Sequence, residues 1–361
     1  MSKISIVALE SIKEIALKTN NYLKELNNYN QDYLVETEEI RFSNGEGKVK
    51  LLNTIRGKNV YIMTDIGNHS ITYKMYGYEN HKSPDDHLED VKRVISAIRG
   101  HADSITVIMP LLYASRQHRR KGRESLDCAI ALKELENLGV KCIVTFDVHD
   151  ENIQNVVPLM AFENFFPTVN IINAILKNEQ IYYENTIIIS PDTGAFNRAR
   201  YYADMLKVDV GIFHKRRDLT KVINGKNPVI AHEYLGKDVK DKDCIVVDDM
   251  IASGESMLDV ATELKRRGAR NIYLASTFGL FCNGKEVFDK EYENKSFNRV
   301  YTTNLTYVSK DIKNSVWYKD VDCSIFIAKI INQLSNNNSI TPLLQGDPDS
   351  FKEVQKKLLK R

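Results

Sequence analysis

Residues 244–257 read Cys-Ile-Val-Val-Asp-Asp-Met-Ile-Ala-Ser-Gly-Glu-Ser-Met, and this stretch decides how the second half of the chain folds. It consists of an apolar, mostly β-branched run, two carboxylates, and a short segment of small residues. Residues 258–267 then follow a helical pattern of apolar and charged positions. The order predicts a buried strand, a tight loop over residues 248–257, and a helix.

The predicted loop contains the groups that bind a phosphate. Ser253 and Ser256 supply hydroxyl groups, and Gly254 leaves the backbone N–H groups unobstructed. These groups would lie at the N-terminus of the helix, where the aligned peptide dipoles favour a dianion. Asp248 and Asp249 would then hold ribose hydroxyls or the waters of a bound metal ion. The alternative is an ordinary helix N-cap after a strand whose two aspartates end in solvent.

Similar apolar runs recur along the chain. Each ends in small or acidic residues and precedes a helical pattern: residues 60–63, 105–109, 142–146, 186–189 and 244–247. The alternation predicts an α/β fold with parallel sheets, in which the loops at the carboxyl ends of the strands build the ligand site. Residues 142–147 and 244–249 share the same apolar run and closing Asp. Either one half of the chain is a duplicate of the other, or buried parallel strands simply resemble one another.

Composition restricts the class of protein. With 361 residues, 43% of them apolar and 27% charged, the chain is long enough for two globular domains. The 50 basic and 48 acidic side chains give a net charge of +2, so the overall charge predicts neither nucleic-acid nor membrane binding. No stretch predicts a signal peptide or a membrane span. Five widely spaced cysteines predict reduced core thiols, and therefore a cytoplasmic protein.

A second turn follows residues 186–189. Pro191 and Gly194 favour a turn whose N–H groups would face a pyrophosphate, with Asp192 beside them. Arg198 and Arg200 follow on a predicted helix, where a solvated face is the simpler interpretation.

A third polar segment, Asp147-Val148-His149, follows residues 142–146. If the segment is extended, the carboxylate and the imidazole project from alternate positions at the edge of the site and would anchor or orient a metal ion. A purely structural histidine is the alternative.

Two basic stretches lie outside these turns. Lys215 and Arg217 would share one side of an extended segment and press two cations onto a polyphosphate, although exposed charge is the alternative. Residues 116–124 form a strongly basic loop without aromatic side chains, which favours a polyphosphate over single-stranded nucleic acid and suits a mobile lid. Residues 74–90 are polar and predict a surface loop. Residues 345–361 predict an appendage with a Lys-rich amphipathic helix.

The motifs, in this order, resemble those of ribose-phosphate pyrophosphokinases, also called phosphoribosyl pyrophosphate synthetases. The resemblance extends from about Arg41 to Leu344 and rests on eight collinear segments, which are Arg41-Phe42-Ser43-Asn44-Gly45-Glu46, Arg56-Gly57-Lys58, Arg116-Gln117, Asp147-Val148-His149, Ser190-Pro191-Asp192, Arg198-Ala199-Arg200, Lys215-Arg216-Arg217 and Asp248-Asp249-Met250.

The resemblance implies two similar phosphoribosyltransferase-like α/β domains, each with a central, mostly parallel sheet flanked by helices. Residues 1–165 would bind ATP, with a helix near residues 324–336 packing back on them, and residues 166–323 would bind ribose 5-phosphate. The implied reaction transfers the diphosphate of MgATP to the 1-hydroxyl of ribose 5-phosphate, giving AMP and phosphoribosyl pyrophosphate for nucleotide biosynthesis. Mg²⁺ is the implied cofactor, and a homo-oligomer with a shared ATP site is the implied assembly.

The resemblance also implies roles for particular residues. Arg116 and Gln117 would bind ATP, joined from a neighbouring subunit by Phe42, Asn44 and Glu46. The ribose 5-phosphate site would consist of Asp248, Asp249, Ser253, Gly254 and Ser256. His149 and Asp192 would attend Mg²⁺, and Lys215 and Arg217 would stabilise charge on the transferring group.

Several positions depart from the family pattern. Ala252 replaces a carboxylate in the phosphate loop, Glu255 adds one, Asn44 replaces Asp, His118 replaces the acid after Arg-Gln, and Phe278 replaces His. Ala252 and Glu255 motivate one alternative, a non-catalytic regulatory homologue. A phosphoribosyltransferase acting on a base is another, because that class shares the phosphate loop, but it does not account for the length of the chain or for residues 116–124.

Overall fold

The computed structural model describes residues 3–120, 122–217, 229–344 and 346–359, without the side chains of residues 215–217, 229–232, 355 and 357–359. The strands are β1 (Ile4–Ala8), β2 (Thr37–Arg41), β3 (Gly47–Leu51), β4 (Asn59–Met63), β5 (Thr72–Met75), β6 (Tyr78–His81), β7 (Ser104–Ile108), β8 (Cys142–Phe146), β9 (Ala161–Phe165), β10 (Thr186–Ser190), β11 (Asp209–Arg217), β12 (Val229–Leu235), β13 (Asp243–Ile251), β14 (Asn271–Gly279), β15 (Arg299–Thr303) and β16 (Tyr318–Val321). The helices are α1 (Lys13–Asn27), α2 (Pro84–Ile98), α3 (Asp127–Asn137), α4 (Thr168–Asn178), α5 (Phe196–Leu206), α6 (Glu255–Arg266), α7 (Glu286–Glu293), α8 (Lys310–Lys313), α9 (Ser324–Ser335), α10 (Thr341–Leu344) and α11 (Pro348–Leu359).

The chain divides into two compact units. Unit 1 consists of the residues up to Pro167 together with Asn304–Tyr307 and Asp322–Pro348. Its central sheet has five parallel strands in the order β1-β4-β7-β8-β9. Every residue of β8 is buried, as expected for a parallel strand that is covered on both faces. Helices α1 and α9 pack against each other, and the Thr19 hydroxyl donates to the Ser324 carbonyl over 3.3 Å.

The prediction of a surface loop over residues 74–90 is wrong. Most of this segment forms the β5–β6 hairpin and the first turns of α2. The helix begins with a capping box, in which the Ser83 hydroxyl accepts from the Asp86 N–H (3.2 Å) and the Asp86 carboxylate accepts from the Ser83 N–H (3.0 Å). The segment is polar although part of it is buried, because Lys82 and Asp90 form an enclosed ion pair at 2.8 Å.

Unit 2 contains the rest of the described chain. Its seven-stranded sheet has the order β12-β11-β10-β13-β14-β15-β16, and β12 is antiparallel to β11 whereas the other pairings are parallel. Successive residues of β10 enter opposite apolar cores. Ile187 and Ile189 belong to the core on one face, and Ile188 belongs to the core on the other. This alternation buries both faces of the sheet.

The segment that the sequence identifies as an appendage contains α11, which packs in unit 2. Val354 is buried in the same apolar core as Ile188. The Glu353 carboxylate accepts a hydrogen bond from the Asn173 amide (2.7 Å) and pairs with Lys177 (2.8 Å), so α11 is held against α4 by apolar and polar contacts.

The predicted α/β fold with parallel sheets is confirmed. The five apolar runs named above form β4, β7, β8, β10 and the first part of β13. None of the five cysteines forms a disulfide, and four of them are buried, as predicted for core thiols. Across the described ranges, no helix is both long enough and apolar enough to cross a bilayer.

Candidate functional site

The turn after β13 is shorter than the predicted loop over residues 248–257, and that prediction is wrong in its extent. β13 continues through Ile251 because it pairs in register with the equally long β14, from Asp243 opposite Asn271 to Ile251 opposite Gly279. Asp248 and Asp249 therefore lie in the strand. Only residues 252–254 form the turn, and α6 begins at Glu255.

Gly254 adopts a conformation that other residues strongly disfavour. Its φ is +88°, and an added Cβ would lie 2.5 Å from Cε2 of Phe288. The Phe288 ring stacks on the Trp317 indole, with ring centroids 5.3 Å apart, and the indole Nε1–H donates to Asp289 over 2.7 Å. The turn therefore packs against an aromatic cluster formed by Phe288 and Trp317. This packing fixes the backbone N–H groups at the start of α6.

At the N-terminus of α6, one N–H group has a partner within the turn, and the N-cap residue provides no side-chain cap. The Ser253 hydroxyl accepts from the Glu255 N–H over 3.4 Å, and Gly254 has no side chain with which to cap α6. Ser256 and Glu255 are exposed on the first helical turn. The positive end of the α6 dipole favours an anion at this position.

Asp248 and Asp249 form a pair of acids with little access to solvent. Burial, followed by the charge of Asp249, raises the pKa of Asp248 well above its ordinary value, while Arg198 opposes this with an Nη1–Oδ1 distance of 3.7 Å. The Asp249 N–H donates to Asp248 (2.9 Å), and the Met250 N–H donates to Asp249 (2.9 Å). Two adjacent carboxylates of this kind are stabilised by hydroxyl donors or by a cation.

In the turn after β10, the backbone N–H groups donate to the carboxylate of Asp192, a residue of the same turn. The Ser190 hydroxyl donates to the Asp192 carbonyl (2.6 Å), and Oδ1 of Asp192 accepts from the N–H groups of Gly194 (2.8 Å) and Ala195 (3.1 Å). The expectation that these N–H groups face a pyrophosphate is therefore not met at Gly194 and Ala195. Asp192 itself is exposed, and its position is fixed by these bonds.

In unit 1, the segment after β8 is not extended as predicted. Asp147 has a φ of +42°, which is a strained conformation for a residue with a side chain, and its N–H donates to the Phe165 carbonyl over 2.9 Å. The Val148 N–H donates to the Asn164 side chain over 3.1 Å. As a result Asp147 is buried and His149 is exposed, 5.4 Å from His118 between ring centroids.

The basic stretch of residues 116–124 is an irregular, largely exposed loop in its described residues, as predicted. Arg116 and Gln117 are both exposed, and the Gln117 N–H donates to the Ala114 carbonyl over 2.7 Å. His118, in contrast, is held against Asp150 with an Nε2–Oδ2 distance of 3.1 Å.

The remaining candidates in unit 1 lie at the tip of the β2–β3 hairpin. The Phe42 N–H donates to the Glu46 carbonyl (2.8 Å), and the Glu46 N–H donates to the Asn44 side chain (3.1 Å). Phe42 is 48% exposed. The Ser43 carbonyl accepts from the Tyr76 N–H (2.8 Å), so the tip is supported by the β5–β6 hairpin.

A buried ion network between β2 and α2 is a feature that sequence reasoning missed. Asp90 accepts from Lys82 (2.8 Å), Arg41 (3.0 Å) and Arg93 (2.6 Å), and Lys82 also pairs with Glu39 (2.8 Å). The side chains of Asp90, Lys82 and Arg41 are 3%, 5% and 10% exposed. This network fixes the strand that leads into Phe42.

Lys215 and Arg217 lie on β11, at the antiparallel pairing with β12. Lys215 is opposite His232, and the register shifts between Arg216 and Arg217. The side chains of Lys215 and Arg217 are outside the described part of the structure, so their predicted role stays a prediction.

The candidate metal ligands suit an Mg²⁺ ion that binds together with a polyphosphate substrate. Among the side chains that the structure describes, no group of three or more His, Cys, Asp or Glu is arranged to hold a metal. Mg²⁺ bound with a polyphosphate needs only one or two carboxylates and keeps several waters. The exposed Asp192 carboxylate has the chemistry of such a ligand, and the exposed His149 imidazole is a weaker ligand for a hard cation.

Asp65 is a second residue that sequence reasoning missed. It follows β4 at the carboxyl edge of the sheet and is buried, and it accepts from the Tyr307 N–H (2.7 Å), the Gly67 N–H (2.9 Å) and the Thr306 hydroxyl (3.0 Å). Burial raises its pKa to about 7 despite these hydrogen bonds. The polar residues after the run 60–63 are the signal that would have identified it.

Asp65 should make stability depend on pH. Since its folded pKa of about 7 exceeds the ordinary value, the folded state binds the extra proton, and stability falls as pH rises from about 4 to 7. Relative to wild type, Asp65→Asn is therefore expected to gain about 2–3 kcal/mol between pH 5 and pH 8. Urea unfolding of both proteins at the two pH values measures this change, and a constant difference between them would contradict it.

The two units together define the class of protein. Each has a mainly parallel sheet with candidate residues at the carboxyl ends of its strands, and unit 2 carries a strand, a short turn and a helix whose N-terminus favours an anion. The model of the N-terminal domain of ribose phosphate pyrophosphokinase matches residues 4–139, and the phosphoribosyl transferase domain model matches residues 162–307. The chain belongs to the ribose-phosphate pyrophosphokinase family.

Individual relatives agree with this assignment. A ribose-phosphate pyrophosphokinase from Haemophilus ducreyi is 30% identical over 311 residues, which is 85% of this chain and 90% of that protein. Its counterpart from Haemophilus influenzae is 29% identical over 308 residues, 84% of this chain and 89% of that protein. The crystal structure of phosphoribosylpyrophosphate synthetase from Mycobacterium smegmatis covers 93% of this chain and 100% of its own, with a TM-score of 0.75 at 21% identity, and so shares the fold.

Proposed function

We propose that this chain transfers the diphosphate of MgATP to the 1-hydroxyl of ribose 5-phosphate and releases AMP and phosphoribosyl pyrophosphate. The observation that carries the proposal is the turn of residues 252–254, with its braced glycine and the acid pair preceding it. We place the enzyme in the cytoplasm and expect a homo-oligomer whose ATP sites are shared between subunits.

The ribose 5-phosphate site is proposed for unit 2. The N–H groups at the start of α6, with the hydroxyls of Ser253 and Ser256, bind the 5-phosphate. Asp248 and Asp249 accept hydrogen bonds from the ribose hydroxyls. Glu255 is exposed, so its charge is screened by solvent near the phosphate.

The ATP site is proposed for unit 1, at Arg116 and Gln117, with Phe42, Asn44 and Glu46 contributed by a neighbouring subunit. An exposed arginine and amide on a loop suit bidentate contacts to phosphate and base. The half-exposed Phe42 ring offers a stacking surface for a base.

The chemistry requires placement and charge stabilisation. Asp192 and His149 would hold Mg²⁺, which when bound neutralises charge on the polyphosphate. Lys215 and Arg217 stabilise the charge that develops on the transferring diphosphate. The anomeric oxygen attacks the β-phosphorus in line with the departing AMP oxygen, so the two substrates must be held in one orientation.

The role of Gly254 can be tested by Gly254→Ala. The positive φ is strained and the methyl group also clashes with the packed Phe288 ring, so we expect a loss of about 2–4 kcal/mol of stability and a higher KM for ribose 5-phosphate. Gly139→Ala is the matched control, because Gly139 has a φ of +92° with nothing within 4 Å of its added Cβ. Equal effects of the two substitutions on KM would reject a role for the turn in binding phosphate.

The experiment that tests the function is product analysis with the purified chain. ATP, ribose 5-phosphate and Mg²⁺ together should yield AMP rather than ADP, and omission of any one should abolish AMP. A base phosphoribosyltransferase would instead release pyrophosphate from phosphoribosyl pyrophosphate and a nucleobase without ATP.

A non-catalytic regulatory homologue is the second candidate, and Ala252 is the observation that favours it, because a carboxylate is missing from the turn. Such a protein would bind nucleotide without turnover. Formation of AMP by the chain alone excludes it, whereas ATP binding without AMP formation supports it.

A further inference from the structure

His118 is anchored although it belongs to an otherwise exposed loop. Its Nε2 lies 3.1 Å from Oδ2 of Asp150, and its Nδ1 lies 3.1 Å from the Ser115 carbonyl oxygen. The side chain is only 9% exposed. Both contacts are to oxygen atoms that accept hydrogen bonds, so the imidazole cannot rotate without losing them.

Asp150 is itself fixed, because its second oxygen has other partners. Oδ1 accepts from the Asn152 N–H (2.9 Å) and from the Asn152 side-chain amide (2.9 Å), and so caps the short 3-10 helix Glu151–Val156. The two oxygens of the Asp150 carboxylate therefore have different partners. Oδ1 binds the turn after β8, and Oδ2 binds His118. The histidine is fastened to a rigid part of unit 1.

The consequence falls on Arg116 and Gln117. In the sequence they lie between the turn in which the Ser115 N–H donates to the Leu112 carbonyl (3.2 Å) and the anchored ring of His118. Within this short interval the Gln117 N–H donates to Ala114 over 2.7 Å. Beyond His118, the described residues to 124 are exposed and irregular. The attachment therefore fixes the part of the loop that carries the two nucleotide candidates.

We propose that His118 and Asp150 are a positioning pair that holds Arg116 and Gln117 in the arrangement that binds MgATP. This inference rests on the proposed function, since it assigns the pair to the nucleotide half of that site. The same contact brings the loop beside His149, whose ring centroid is 5.4 Å from that of His118. The pair thus connects the nucleotide loop to the segment that carries the metal candidate.

The test separates the two hydrogen bonds of the imidazole. His118→Ala removes both. His118→Gln places an amide donor near the former Nε2, where it can reach Asp150, and His118→Asn places one near the former Nδ1, where it cannot. His101→Ala is the control, because His101 is an exposed histidine in the turn after α2. KM for ATP, KM for ribose 5-phosphate, kcat and the melting temperature are measured for each.

We expect His118→Ala to raise KM for ATP about 10-fold or more, which is the effect of losing a hydrogen bond to a charged group. KM for ribose 5-phosphate should stay within about 2-fold and kcat at saturating ATP within about 3-fold. His118→Gln should recover most of the ATP affinity, and His118→Asn should not. Asp150→Ala should match His118→Ala, and the double variant should be little worse than either single one, because the two residues act as a unit.

Two kinetic results would overturn the proposal. One is an unchanged KM for ATP in His118→Ala. The other is a parallel loss of affinity for both substrates with a lower melting temperature, which is what a purely structural role predicts.

If the wild-type chain forms no AMP, calorimetric titration with MgATP decides instead. Tighter binding by wild type than by His118→Ala retains the pair although the proposed reaction fails. Equal binding, or no binding to either protein, rejects the pair.

Discussion

Replacing Asp90 by alanine is expected to remove about 3–5 kcal/mol from the free energy of unfolding, the range found when one member of a buried ion network is lost. The carboxylate accepts from Arg41, Lys82 and Arg93, and its own side chain is 3% exposed. Without this carboxylate, Lys82 and Arg41 stay largely buried, and the negative charge that compensates them is reduced. Lys82 then pairs with Glu39, and Arg41 pairs with Asp86. Urea unfolding at pH 7 measures the loss.

A matched control lies on the β2–β3 hairpin, which also carries Arg41. Glu38 pairs with Lys50 at 2.9 Å, but the two side chains are 46% and 48% exposed, so Glu38→Ala should change stability by less than about 1 kcal/mol. If Asp90→Ala also changed stability by less than about 1 kcal/mol, the enclosed network would contribute no more than a surface ion pair.

The effect of Asp90 should also depend on pH in a defined direction. Burial opposes its ionisation, but the Lys82 hydrogen bond and the charges of Lys82 and Arg41 outweigh burial, so the pKa of Asp90 lies below its ordinary value. Its stabilisation is therefore present above about pH 4 and is lost as pH falls through the folded pKa. The stability difference between wild type and Asp90→Ala should narrow only in that acid range.

Replacing Lys215 by alanine is expected to lower kcat by about 10²–10³-fold if the ammonium meets charge that develops in the transition state. Because β11 is held by its backbone pairing with β12, alanine preserves the ladder and the fold. Loss of a transition-state contact should reduce kcat and kcat/KM equally. Steady-state AMP formation, with circular dichroism as the measure of folding, tests this.

Lys237→Ala is the control for this substitution. Lys237 is a 72% exposed cation of unit 2, paired with Asp209 at 2.9 Å, and its loss should leave kcat within about 2-fold. If Lys215→Ala likewise retains the wild-type kcat, the proposed catalytic role of Lys215 is wrong.

The strands were predictable because parallel strands buried on both faces are written as continuous apolar runs, as in β8 and β10. The end of β13 was not predictable, because two adjacent carboxylates are typical of a strand end in solvent. Their inclusion in the strand depends on the register with β14, which aligns Asp248 with Ser276 and Ile251 with Gly279. Such a register is a tertiary property.

Buried charge was missed for a related reason. A polar segment such as residues 74–90 predicts a loop unless its partners are known, and Arg41 reaches Asp90 across 49 positions of sequence. Asp65 meets Thr306 and Tyr307 across more than 240 positions. The left-handed backbone of Asp147 likewise follows from the hydrogen bond to Phe165 and not from the local sequence.

The aromatic cluster below Gly254 makes the phosphate turn observable by optical spectroscopy. The chain contains one tryptophan, Trp317, and its indole stacks on the Phe288 ring that lies against Gly254. Fluorescence excited selectively from tryptophan therefore comes from Trp317 alone, which is separated from the turn by the Phe288 ring. A ligand that moves the turn changes the surroundings of this one emitter. Binding at the proposed ribose 5-phosphate site of unit 2 can therefore be followed without a label and separately from binding at the proposed ATP site of unit 1.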